Sequence, residues 1–178
     1  MLFWTIPHHA GAVDMIIAGF DISTYTGLAF LDTETQECTG RLIHFPDHKG
    51  MVRLGLIEKE LRRILAVRRC DKIILEGYAI HHVSSVVSVV SCGTVVRQVL
   101  YSLGYPWLEV PPTTLKKWAS GKGNAKKADM AIAVKDRWGY SSPSDDIIDA
   151  VALARLGEYL ETVGDDHNLK GLSLIDHT

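Results

Sequence analysis

Two apolar runs of strand length in this chain end on an acid, and no other feature narrows its folding options as much. Met15-Ile-Ile-Ala-Gly-Phe drives straight into Asp21, and Lys72–Leu75 runs directly into Glu76. Apolar runs of this length, rich in β-branched residues, read as buried strands. A carboxylate at the end of such a strand is costly unless another group shares its charge. Asp21 therefore asks for a cation, either a side chain or a metal ion. The rest of the chain has to be read for groups that stand beside it.

The first strand, Ile16–Asp21, leads through a tight turn built from Ser23, Thr24 and Gly27 into a second, Gly27–Asp32. Glu34-Thr-Gln36 is polar enough for a hairpin loop. Cys38–Phe45 makes a third strand, closed by Pro46-Asp-His-Lys-Gly50. Three sequential strands with short turns predict an antiparallel meander. Leu54, Ile57, Leu61, Ile64 and Leu65 recur at helical spacing, so 51–69 is an amphipathic helix. Its other face carries Arg53, Lys59, Arg62, Arg63, Arg68 and Arg69, and with Glu58 and Glu60 it reads as solvated. After the strand that ends on Glu76 come a helix from Ser84 to Leu103, a fifth strand at Trp107–Val110 and the stop Pro111-Pro112. A last helix, Ser144–Val163, is announced by Pro143 with Ser144 as its N-cap. The order β-β-β-α-β-α-β-α-α predicts an α/β fold with a mixed five-stranded sheet, an antiparallel three-strand meander plus parallel strands, flanked by helices. In such sheets functional groups gather at strand ends.

At 178 residues the chain is long enough for one well-cored domain. We read 1–14 as a poorly specified N-terminal arm, 15–163 as the domain and 164–178 as a polar tail. The net charge of −2 argues neither for nor against nucleic acid, so local charge decides. The three cysteines, Cys38, Cys70 and Cys92, lack CxxC spacing and read as reduced thiols in a cytoplasmic compartment, or the host cytoplasm for a viral protein. No stretch is a credible membrane span.

The last helix carries Asp145, Asp146 and Asp149. Capping and the helix dipole account for acids in a first turn, which covers Asp145 and is a sufficient alternative for Asp146. They do not account for Asp149, which sits in the second turn among apolar residues. Glu76 has a simpler alternative, an ion pair with Arg53 or Arg97, and Asp21 has its own in the Ser23 and Thr24 hydroxyls. Taken jointly, Asp21, Glu76, Asp146 and Asp149 form two strand ends and one helix face at one edge of a sheet. Clustered carboxylates repel unless a divalent cation neutralises them, and oxygen donors suit Mg²⁺ or Mn²⁺. Acid clusters that hold two metals serve in-line phosphodiester displacement.

These residues carry a resemblance. Phe20-Asp21-Ile-Ser-Thr-Tyr-Thr-Gly27, Ile74-Leu-Glu76-Gly-Tyr78 and Asp146-Ile-Ile-Asp149-Ala-Val-Ala-Leu-Ala154 resemble the three acidic motifs of the RuvC family of Holliday junction resolvases. The resemblance spans most of 15–160. It implies an RNase H-like fold, a homodimer, and symmetric cutting of four-way DNA junctions with divalent metal, for which two Mg²⁺ per site are expected, with Mn²⁺ able to substitute. It assigns Asp21, Glu76, Asp146 and Asp149 as the catalytic, metal-binding tetrad. It aligns Lys116 and Lys127 with basic residues that contact DNA near the scissile phosphate. Where many members place a bulky aromatic slightly further on, this chain has Gly77-Tyr78-Ala79, which makes Tyr78 the substitute at the junction centre.

Residues 111–137 carry seven Lys or Arg against two Asp, a local charge of +5, with a Gly-Lys-Gly-Asn loop at 121–124 and the aromatics Trp118 and Trp138 close by. Glycine-spaced lysines track a phosphate backbone well, so Lys116, Lys122, Lys126 and Lys127 are expected to bind DNA as a group. A solvated helix face is the simpler alternative. The Ser84–Leu103 helix has only Arg97 for charge, and its small residues Ser84, Ser85, Ser88, Ser91 and Gly93 permit close helix approach. The resemblance puts the dimer interface there; a buried intrachain helix is the alternative. Three rivals stay open: a flap or RNA–DNA hybrid nuclease of the same fold, an ATP-binding protein of the actin or sugar-kinase type, and a non-catalytic junction-binding protein.

Overall fold

A computed structural model of the chain describes residues 14–78, 83–163 and 173–175. The arm over 1–13, the His81-His82 pair and most of the 164–178 tail lie outside the described residues. The strands are β1 (Ile16–Asp21), β2 (Tyr25–Asp32), β3 (Cys38–His44), β4 (Lys72–Glu76), β5 (Trp107–Val110) and β6 (Ser173–Ile175). The helices are α1 (Gly50–Val67), α2 (Val83–Ser102), α3 (Pro112–Ser120), α4 (Lys127–Trp138) and α5 (Asp145–Val163).

The strand order is β3-β2-β1-β4-β5-β6. β1, β2 and β3 pair antiparallel, β4 runs parallel to both β1 and β5, and β6 returns antiparallel on β5. The five expected strands thus form the mixed sheet, and Ser173–Ile175 adds a sixth at its edge. That segment lies in the expected polar tail, and three residues are too few to show a period of two. The basic stretch after β5 forms two helices, α3 and α4, joined by a loop over 121–126, where the expected order had a single helix before the last one. Each ends on a glycine in the left-handed conformation, Gly121 and Gly139, which closes the helix without strain.

Alternation along the strands divides the apolar residues between two cores. Ala18, Phe20, Leu28, Phe30, Ile73 and Leu75 face α1 and α2, while Ile17, Ala29, Leu31, Ile74 and Val110 face α3, α4 and α5. By the same alternation Asp21 and Glu76 fall on the α5 side. α5 is buried almost all round because it lies flat on the middle of the sheet.

A buried polar knot fastens the β2–β3 hairpin to α5. Arg155 donates to the Gln36 side-chain and backbone oxygens and to Glu158, and Gln36 Nε2 donates to Glu158. Gln36 holds a left-handed backbone (φ 62°) in order to reach in. Arg155 and Glu158 are only 6% and 8% exposed. Removing one partner leaves the other charge buried alone. Glu158→Ala is therefore expected to lower unfolding stability by about 3–5 kcal/mol, measured by urea denaturation. Glu158→Gln, which keeps an acceptor, is expected to lose less.

Candidate active site

Asp21 and Glu76 are the last residues of two adjacent parallel strands, and both point to the face that α5 covers. Their carboxyl groups share a hydrogen bond. Asp21 is 9% exposed, and Glu76 and Asp149 are part-buried. Asp146 and Asp149, in the first two turns of α5, act on both through space. The four acids singled out in the sequence thus meet at one end of the sheet.

Glycines make this meeting possible. A Cβ on Gly27 would lie under 3.0 Å from the Asp146 carbonyl, and one on Gly19 would run into the Ala150 carbonyl and the Ala154 amide. Gly27 is also the β2 partner of Asp21 in the register. The N-terminal half of α5 therefore rests on bare backbone, which sets Asp146 over the end of β1. Glycine inside a strand is a sequence sign of such close approach. This signal was available at Gly19 and Gly27 but carries no partner information. Ser144 takes the expected N-cap position, with its Oγ 3.5 Å from the Ile147 nitrogen.

The simpler partners for the acids are absent among the described residues. Arg97 pairs instead with Glu109 at 2.7 Å, and Arg53 Nε donates to the His48 carbonyl. The Ser23 hydroxyl accepts from the Tyr25 amide. No Lys, Arg or His among the described residues forms an ion pair with Asp21, Glu76, Asp146 or Asp149. Lys116 of α3 acts on Glu76 and Asp149 through space and favours their charged forms. Lys127 at the start of α4 pairs with Asp145 at 3.0 Å and also feels Asp146 and Asp149.

Burial dominates the resulting proton affinities. Desolvation, with Glu76 beside it, raises the Asp21 carboxyl well above its usual range. Desolvation pushes Glu76 up to about 7 and Asp149 up to about 6, against the pull of Lys116 on both. Asp146 is raised by burial and drawn back by Lys127. No group of three or more His, Cys, Asp or Glu side chains among the described residues is gathered closely enough to hold an ion as it stands. The donor set is nonetheless oxygen-only and anionic, with its charge unmatched at close range. That is the chemistry of a hard divalent cation, so these residues fit one in kind and charge.

The other expected site residues lie outside the acid cluster. Lys122 and Lys126 are exposed on the α3–α4 loop. Tyr78 lies two residues past Glu76, but its ring packs under Arg97, 4.3 Å from the guanidinium, and against Gly93 of α2. Trp118 and Trp138 stack on each other at 5.4 Å, with Arg137 over both rings, and so tie α3 to α4 rather than facing outward among the lysines.

A mixed sheet of this strand order, with carboxylates at its strand ends and a buried helix across its middle, is the RNase H-like fold. A crossover junction endodeoxyribonuclease RuvC from Synechococcus sp. (strain CC9902) is 30% identical over 114 residues, covering 63% of this chain and 74% of that protein. Thermus thermophilus RuvC in complex with Holliday junction substrate superposes with TM-score 0.70 at 18% identity, covering 84% of this chain and 97% of that one. The fowlpox virus resolvase bound to Holliday junction DNA gives 0.52 at 16% identity, over 83% of this chain and the whole of that one. No protein-family model matches. The chain belongs to the RuvC family of crossover junction endodeoxyribonucleases.

Two measurements test the geometry. Carboxyls raised in the folded state bind protons that the unfolded chain has already released between about pH 4 and about 7. Their contribution to stability is therefore present at the low end of that window and is lost as pH rises. In chelator, the stability gain of Glu76→Gln over wild type is expected to grow from pH 5 to pH 8; a gain constant with pH would contradict the raised Glu76. Gly27→Ala is expected to cost roughly 1–3 kcal/mol by overpacking and to weaken divalent-cation binding in calorimetry. Gly157→Ala, whose Cβ would first meet the Ile17 and Ile74 side chains far along α5, is expected to spare cation binding.

Proposed function

We propose that this chain is a metal-dependent, structure-selective endonuclease that resolves four-way DNA junctions. The observation that carries the reading is Asp21 and Glu76 sharing a hydrogen bond under Asp146 and Asp149 in a chain of the RuvC family. In this reading Asp21, Glu76, Asp146 and Asp149 hold two divalent cations, Mg²⁺ in the first instance. When bound, these supply Lewis-acid activation of water and charge stabilisation at the leaving 3′-oxygen. Closure of the carboxylates relieves the charge that burial leaves unmatched. The products are 5′-phosphate and 3′-hydroxyl nicks.

The basic residues act around this centre. Lys116, half-buried beside Glu76 and Asp149, offsets charge at the scissile phosphate, and Lys127 does so from the Asp145 side. Lys122 and Lys126 carry the backbone further along the α3–α4 loop, and Tyr78 meets the DNA by its exposed edge. Such contacts fix position and are sensitive to salt.

Paired nicks need two copies, and α2 offers the surface. Val87 and Val90 are exposed at 75% and 37%. The nearby hydroxyls of Ser91 and Thr94 are turned back onto the carbonyls of Val87 and Val90, which leaves the strip apolar. Gly93, expected on this contact, is instead used inside the chain to admit Tyr78 and Arg97. A two-fold dimer through α2 is the reading this surface favours.

Asp149→Asn is expected to lower cleavage of a synthetic four-way junction in Mg²⁺ on the order of a thousandfold, while the dissociation constant for the junction stays within a few-fold. Cleavage at the wild-type rate by this variant, or by wild type in chelator, would overturn the assignment.

A further inference from the structure

Lys127 and Asp145 form an ion pair that joins the first turns of two helices. Lys127 is the first residue of α4 and Asp145 the first of α5. The Lys127 Nζ lies 3.0 Å from a carboxylate oxygen of Asp145. Both side chains are open to solvent, at 77% and 45% of full exposure.

Helix building accounts for only one half of this pair. The N-terminus of a helix carries partial positive charge, which favours Asp145 and disfavours Lys127. Ser, Thr, Asp or Asn is the usual residue ahead of a helix. Here Lys126 holds that place, and Asp129 does the capping by accepting from the Lys126 amide at 2.9 Å. The position of Lys127 relative to the acids gives it a reason. Asp145 precedes Asp146 in the chain, so a lysine held on Asp145 stands one residue from the carboxylate cluster. Its charge accordingly draws the Asp146 and Asp149 carboxyls toward their ionised forms.

The two cations of the site are kept near it in different ways. Lys116 is part-buried on α3, so its surroundings hold it by Glu76 and Asp149. Lys127 is too exposed to be held by packing. A free lysine has many rotamers to lose when it engages a phosphate, and the loss is smaller for one already held in place. Asp145 supplies that hold. An exposed ion pair is weak and screened by salt, so a DNA phosphate can take the ammonium over from the carboxylate.

We propose that Asp145 is a positioning residue for Lys127, holding its ammonium beside Asp146 until the scissile phosphate of the junction replaces the carboxylate. The proposal rests on the nuclease reading above and deepens it by bringing a fifth acid, outside the four that would hold metal, into the charge balance at the reacting phosphate. An acid that served only the helix dipole would act without its lysine partner.

A double-mutant cycle separates the two roles. Single-turnover cleavage of a synthetic four-way junction is followed for wild type, Asp145→Asn, Lys127→Ala and the double variant, at saturating protein and Mg²⁺ and for long enough to resolve slow variants. Asp145→Asn is expected to lower the rate about tenfold without weakening junction binding in chelator. In the Lys127→Ala background the same change is expected to matter less than about twofold. Asp145→Glu, which keeps the carboxylate on a longer arm, is expected to retain most of the wild-type rate. Urea unfolding of each variant checks the fold. A loss equally large in both backgrounds means that Asp145 acts on the acids or the helix directly, and overturns the positioning role; so does an undiminished rate in Asp145→Asn. If wild type cuts no junction, the nuclease reading and this role fall together. If wild type cuts and the two effects simply multiply, this role alone falls.

Discussion

The structure depends on the contact of α5 with the bare backbone of β1 and β2. Gly19 and Gly27 present no side chain, so the helix comes down onto the strands until its carbonyls nearly touch them. With any larger residue there, the axis would rise and Asp146 and Asp149 would lift away from Asp21. The same contact buries the helix on nearly every side, which is why its sequence is apolar almost all round and shows little amphipathic periodicity. Core packing and site assembly are one event here, because the first turns of the packed helix are also the third and fourth acids of the site.

That packing brings like charges together. Four carboxylates face a common space with no close cation among the described residues, and burial raises the proton affinity of each. The two lysines nearby, Lys116 and Lys127, sit on helices of their own and temper the repulsion without closing on Asp21. Burial and like charge both work against stability at this end of the sheet, a pattern that clusters at functional sites.

Elsewhere polar groups stiffen the frame. The Gln36–Arg155–Glu158 knot pins the hairpin to the far half of α5. Arg97 joins α2, β5 and Tyr78 through Glu109, the Gly93 carbonyl and the tyrosine ring. Arg137 lies over Trp118 and Trp138 and donates to the last carbonyls of α3. From the sequence, Arg97 is offered as a partner for Glu76 and Arg137 is one charge of the basic stretch, while nothing singles out Arg155. The arginines of α1 do follow simple expectation: Arg62 and Arg63 pair with Glu58 and Glu60 on the surface.

The sequence by itself determined five of the six strands, the two long apolar helices and the four acids. Strand and helix periods are written into local patterns, and an acid such as Asp149 among apolar residues violates its local pattern visibly. Ser144 as N-cap and the surface pairs of α1 were legible for the same reason, since each partner lies within a few residues. Only the tertiary structure decided which acids meet, where Tyr78 and the tryptophans turn, that Lys127 pairs with Asp145, and that Ser173–Ile175 joins the sheet. These depend on contacts between residues far apart in the chain, such as Gln36 with Arg155 or Gly27 with Asp146. A glycine in a strand announces that something comes close; only the folded chain says what it is.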